Sequence, residues 1–148
     1  MTSGFVFVNG QLEFIQELLG AWNSHDPDRV AEFYAADYCG VDISQPTPHS
    51  GKEGIRRTLA SYWQAFPDFK IKYEETIEQG ARIVVLWSAE GTHEGRIMNI
   101  PPTGKKIKAR GVSVFTIENN LVTHALYFWD VAGLLREIGL LPELAPVS

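Results

Sequence analysis

Asp130 stands inside the run YFWDVAGLLREIGLLP (127–142), directly between Trp129 and Val131. An ionised carboxylate taken out of water without partners costs several kcal/mol or shifts its pKa. Two roles suit a carboxylate at this point. It either caps the helix that follows or serves as a general acid/base in a pocket. His93, in GTHEG (91–95), is the second candidate, a group that could flank a small substrate together with Asp130. Its alternative is a strand-end histidine half exposed to solvent.

Other chemistries find little support. His25 and His49 fall in a helix junction and a proline-rich loop and read as solvated or capping residues. His124 is ~20 Å along the strand from Asp130, too far to share a small site. No His/Asp/Glu spacing suggests a metal centre, so neither metal nor cofactor is expected. Cys39 is the lone cysteine, which excludes a disulfide framework and suits a reducing cytoplasm. There is no G-x-S-x-G elbow, no Cys/His signature and no glycine-rich phosphate loop.

The elements that must position Asp130 and His93 follow from periodicity. Leu12, Ile15, Leu18, Leu19 and Trp22 recur at helical spacing over about 11–24. Asp26 and Pro27 restart a helix whose inward face is Val30, Phe33 and Tyr34. YCGVDI (38–43) reads as a short strand and SQPTPHSG as a loop. Ser50 and Glu53 fit a capping box opening a third helix, with Ile55, Leu59, Tyr62, Trp63 and Phe66 as its stripe, and Pro67 ends it. Four long strands then follow, joined at Gly80, at the NIPPTG loop and at Asn119-Asn120, a pair suited to a turn with positive φ. Helices first and an antiparallel meander afterwards read as α+β, one domain over 1–148, helices covering one face of the sheet.

A two-residue turn at Asn119-Asn120 makes residue pairs across the last hairpin sum to 239. Asp130 then lies opposite Ala109, with Gly111 and Phe128 on its face. Two small residues beside a carboxylate leave room for a ligand. For His93 the register across RIMNIPPTGK decides. A sum of 202 puts it in one row with Asp130, and a sum of 201 turns it to the other face.

Three segments carry a resemblance: AFPDFKI (65–71), GTHEG with IPPTGKKI (91–107), and WDVAGLLREIGLLP (129–142). Their order and spacing over roughly residues 12–142 are similar to the SnoaL-like polyketide cyclases, in the nuclear-transport-factor-2-like superfamily. The resemblance implies a cone-shaped α+β fold with three N-terminal helices on a curved, mostly antiparallel sheet and a short C-terminal helix. It implies a pocket inside the cone and cofactor-free acid–base chemistry. In the cyclases an aspartate at the end of the last strand deprotonates an activated carbon before an intramolecular aldol closure, and Asp130 holds that position. Tyr34, Trp63 and Phe66 are expected to line the pocket, Gly111 and Phe128 to lie beside the carboxylate, and Met98 and Ile100 to sit near the mouth. Two other readings stand beside the cyclase or isomerase: a non-catalytic binder of a small apolar ligand, and an epoxide-opening hydrolase.

Net charge is −5 with 21% charged and 45% hydrophobic residues, which speaks against general nucleic-acid binding. No apolar run approaches the ~20 residues of a membrane span, and the start does not read as a signal peptide. The expected partner is a small hydrophobic molecule, in the cytoplasm. The last two strands are apolar on both faces, so a second copy is expected to cover the face the helices leave open. Tyr127 and Trp129, or their neighbours, would be buried in that homodimer, with a tetramer as the larger alternative.

Overall fold

The computed structural model describes residues 3–145, with side chains from Gln11 onward. Helix α1 runs Ser3–Ser24, and α2 (Pro27–Ala31) starts as its sequence requires. Asp26 accepts hydrogen bonds from the Asp28 and Arg29 amides, and Pro27 takes the first helical position, where its missing N–H costs nothing. Strand β1 (Tyr34–Asp42) begins four residues earlier than expected, so Tyr34 belongs to a strand and not to the helical stripe. The two-residue β2 (His49–Ser50) leads into α3 (Gly51–Ala65). Ser50 occupies the N-cap of α3 without a side-chain capping bond, and Glu53 pairs with Arg56 at 2.7 Å instead of closing a capping box.

The four long strands are β3 (Lys70–Gln79), β4 (Arg82–Thr92), β5 (Lys106–Glu118) and β6 (Leu121–Trp129), followed by α4 (Val131–Glu137). Sheet order is β2-β1-β6-β5-β4-β3, antiparallel throughout except where β1 lies parallel to β6. Asn119 and Asn120 both have positive φ, 54° and 60°, as a tight hairpin turn requires. The fold is the α+β architecture of the nuclear-transport-factor-2 and ketosteroid-isomerase type. Ile15 and Leu18 of α1 and Ile55 and Leu59 of α3 pack on Ile83, Val85, Phe115 and Ala125, which defines the helix-covered face.

In the last hairpin the register departs from the expected value at one point, with large consequences. Glu118↔Leu121 and Ile117↔Val122 follow the turn, but the ladder then shifts by a residue, and Thr116 faces His124. An extra residue on one strand turns every later side chain to the opposite face. Trp129 therefore lies opposite Gly111, Tyr127 opposite Ser113, and the Asp130 amide bonds the Arg110 carbonyl at 3.0 Å. Tyr127 and Trp129 point under the helices. Leu126 and Phe128, 37% and 38% exposed, point outward. Neither sum considered for His93 occurs. The β4–β5 pairs run Arg82↔Thr116 to Thr92↔Lys106, and His93 continues the ladder through its amide to the Lys105 carbonyl at 2.8 Å. This leaves His93 on the helix-covered side and Asp130 off it, so the two do not share a row.

Candidate active site

An apolar cavity of about 70 Å³ lies between the helices and the sheet. Trp22, Ile55, Phe66, Trp87, Ala109 and Tyr127 contribute to its wall. Its charged group is Asp42, the last residue of β1, which is 5% exposed. The period-2 alternation of β1 puts Tyr38, Gly40 and Asp42 on the core side. Asp42 Oδ1 accepts from the Ser44 amide at 2.9 Å and from the Ser44 hydroxyl. Tyr62 of α3 donates to Oδ2 at 2.8 Å, and the Trp129 indole N–H straddles both oxygens at 3.2 and 3.3 Å. Neutral donors from three elements thus hold a buried carboxylate that has no ion-pair partner among the described residues. Burial and the adjacent Asp42 charge push the Tyr62 hydroxyl far above its usual range, so it remains a donor.

Beside Asp42 runs a chain of hydroxyls. Tyr127, paired with Asp42 across β1 and β6, lines the cavity. Its hydroxyl lies 3.1 Å from that of Tyr38 and 3.4 Å from that of Tyr34, and Tyr38 lies 2.9 Å from His49 Nε2. Desolvation raises all three tyrosines far above 10, so none ionises in the workable pH range. Gly40 makes the chain sterically feasible, because a Cβ there would fall 2.1 Å from the Tyr38 hydroxyl and 2.5 Å from His49 Nε2.

Burial lowers the His49 pKa from 6.5, with Asp42 opposing in part. The native state therefore resists a proton that the unfolded chain accepts. This stabilisation is complete above pH ~6.5 and is lost as pH falls through the lower native value. Urea denaturation from pH 7.5 to 5 is expected to show a loss of stability that His49→Gln abolishes. An unchanged slope in that variant would remove His49 as its cause.

Outside the cavity opens a polar vestibule of about 550 Å³, which shares Asp42, Thr58 and Tyr62 with it. Arg57, Arg96, His49 and Met98 stand around it.

The residues singled out from the sequence are distributed as follows. Phe66 lines the cavity and Met98 the vestibule. Tyr34 is fully buried behind Tyr127. Trp63 stacks on His25 at 5.1 Å, away from the cavity wall. Ile100 pairs with Ile97, and it is Ile97 that borders the vestibule. Gly111 does not open a floor: the Trp87 ring occupies the space a side chain would take, 2.3 Å from an ideal Cβ. Phe128 is on the outer face because of the register shift.

His93 is fully buried against Phe66, 5.7 Å between ring centres. Its Nδ1 accepts the Thr103 amide at 3.3 Å and lies 2.9 Å from the Thr103 hydroxyl, tying GTHEG to the IPPTG loop. It is not part of the cavity wall. Asp130 is exposed and N-caps α4, accepting the Gly133 amide at 2.8 Å. A Cβ at position 133 would lie 2.3 Å from the Asp130 carboxylate, so the D-x-x-G spacing is that of a cap. Sequence reasoning missed Asp42, although the alternation Tyr38, Gly40, Asp42 was available as its signal. Among the described residues, no three His, Cys, Asp or Glu side chains converge as metal ligands, and no helix is long and apolar enough to cross a membrane.

The fold and this site define a helix-covered sheet with one buried carboxylate in an apolar cavity, and comparison with known proteins gives the class. The family model of the SnoaL-like polyketide cyclases matches residues 13–138. The chain belongs to that family. It is 22% identical over 134 residues to aklanonic acid methyl ester cyclase DnrD of Streptomyces peucetius, covering 87% of this chain and 90% of that protein. It is 23% identical to nogalonic acid methyl ester cyclase of Streptomyces nogalater, covering 82% and 92%. A protein of Catenulispora acidiphila with a ketosteroid isomerase-like fold, solved with trimethylamine, superposes with a TM-score of 0.76 at 16% identity, covering 90% and 98%.

Proposed function

We propose that the protein is a cofactor-free acid–base enzyme that cyclises or isomerises a hydrophobic carbonyl compound, with Asp42 as the general base. The observation that carries this reading is a buried carboxylate in the wall of an apolar cavity, held by neutral donors. Oδ2 receives one short hydrogen bond and a shared, longer one, which leaves a lone pair for a substrate proton. Asp42 removes a proton from carbon next to a carbonyl, and the electron pair moves to the carbonyl oxygen as an enolate. The hydroxyl chain from His49 through Tyr38 to Tyr127 supplies the donor for that oxygen. In an aldol closure the enolate carbon attacks a second carbonyl of the same molecule, and the new alkoxide takes the proton back from Asp42. Both curated relatives are named as methyl ester cyclases, which favours closure over isomerisation.

His93 and Asp130 act in this reading through structure, as a loop tie and a helix cap. The epoxide-opening alternative needs a second carboxylate. Asp42 is the one carboxylate lining either the cavity or the vestibule among the described residues, which weighs against it. A purely binding member would show ligand affinity without proton transfer. The test is exchange of α-protons of aryl ketones for deuterium in D2O, followed by proton NMR with stoichiometric protein. Exchange above the buffer rate supports the enzyme, and binding without exchange favours the binder.

The oligomer is part of the proposal. Val84, Val114 and Leu126 form one outward row across three strands, and Leu86, Val112 and Phe128 form the next. An apolar sheet face of this kind is suited to pairing with its own copy about a two-fold axis. Light scattering at micromolar concentration is expected to give twice the 16.6 kDa chain mass, and Leu126→Glu with Phe128→Glu to halve it. A wild-type mass of one chain refutes the pairing.

A further inference from the structure

Arg57 and Arg96 are exposed at the vestibule, and neither is ion-paired among the described residues. The Arg96 guanidinium donates to the Asn99 carbonyl at 3.2 Å, and Arg57 has no hydrogen-bond partner there. Arg56, one residue away, behaves differently: it is bound to both Asp28 and Glu53 on the other side of α3. The chain carries net charge −5, yet it leaves these two cations free at the mouth of the cavity that holds Asp42. The vestibule and the cavity meet at Asp42, Thr58 and Tyr62, so one molecule can occupy both.

From this arrangement we infer that the substrate carries a carboxylate, held by Arg57 and Arg96 at the vestibule while its apolar body enters the cavity. The inference deepens the proposed function and rests on it. Charge fixes the orientation. Asp42, where the two spaces meet, repels an anion from the cavity, whereas the guanidiniums attract one at the rim. Counting Arg57, Arg96 and Asp42 leaves one net positive charge around the vestibule, which matches a monoanion. The planar guanidinium fork suits a carboxylate in particular. Ser50, also at the vestibule, adds a hydroxyl donor that caps no helix amide. Bound in this way, the acid end would set which carbon of the apolar body reaches Asp42, making the two arginines positioning residues.

The experiment compares 4-oxo-4-phenylbutanoate with its methyl ester, using quenching of the tryptophans that line the cavity. At low salt the acid is expected to bind wild-type protein about five- to tenfold more tightly than the ester, the scale of two exposed ion pairs. Raising NaCl to 0.5 M should shrink that preference. Arg57→Gln with Arg96→Gln should equalise the two ligands by weakening the acid alone. Equal affinities in the wild type, or a preference that survives both substitutions, overturns the carboxylate assignment and leaves the cavity reading standing. Failure of both ligands to bind overturns the two together.

Discussion

Asp42→Asn is expected to lower turnover of a ketone substrate by roughly 10²–10⁴-fold, the usual contribution of a general base, while the protein stays folded. Asparagine is the informative replacement because the donors around Asp42 are of two kinds. The Ser44 amide and the Trp129 indole cannot reverse, and both reach Oδ1, where the asparagine oxygen can sit. Tyr62 contacts Oδ2 through a hydroxyl that can rotate and accept from the new amide group. The stability cost should therefore stay near 1 kcal/mol, the scale of one altered hydrogen bond. Alanine would instead leave the Ser44, Tyr62 and Trp129 donors without their acceptor and confuse catalysis with folding.

Asp130 supplies the contrast. Asparagine caps helices about as well as aspartate, so Asp130→Asn should leave both stability and rate unchanged. Asp130→Ala should cost about 1 kcal/mol with no loss of rate per folded molecule. If Asp130→Asn abolishes turnover and Asp42→Asn does not, the base is the aspartate at the end of the last strand, as the family resemblance implies. The assignment to Asp42 then falls.

The difference between these two aspartates shows what the sequence could carry. Local signals were legible wherever one residue type answered one local demand: Asp26-Pro27 at a helix start, Asn119-Asn120 at a tight turn, the helical stripe of α3. The register of the last hairpin was not, because a bulge near Thr123 leaves no local mark and still inverts every side chain after it. That one residue decided three matters together. It exchanged Phe128 for Trp129 in the interior, took Asp130 out of the row with Ala109, and turned Tyr127 inward. Gly111 was misread for a related reason. A glycine in a strand marks a close approach as readily as an open space, and here the approaching group is the Trp87 ring. Asp42 had a period-2 signal but lay at the end of a strand whose parallel partner is distant in sequence.

Tyr127→Phe is expected to reduce the rate by about 10²–10³-fold, as removal of one oxyanion donor does elsewhere, with substrate affinity nearly unchanged. The argument turns on which way the hydroxyl chain points. If Tyr38 donates to His49 Nε2, then Tyr127 donates to Tyr38, and its proton is directed away from the cavity. If His49 carries its proton on Nε2, the order reverses: His49 donates to Tyr38, Tyr38 to Tyr127, and Tyr127 into the cavity. Only the second order stabilises an enolate, because it turns the Tyr127 hydroxyl proton toward the cavity while His49 anchors the chain at the vestibule. Interrupting the chain without touching the cavity wall separates relay from packing. Tyr38→Phe removes the link but keeps the ring, and Gly40→Ala should displace His49 from Tyr38, given the 2.1 and 2.5 Å approaches at that position. Both should lower kcat by a smaller factor than Tyr127→Phe, leave KM nearly unchanged and reduce the solvent deuterium isotope effect. A Tyr38→Phe variant with the wild-type rate and isotope effect would leave Tyr127 as an isolated donor and remove His49 from the reaction.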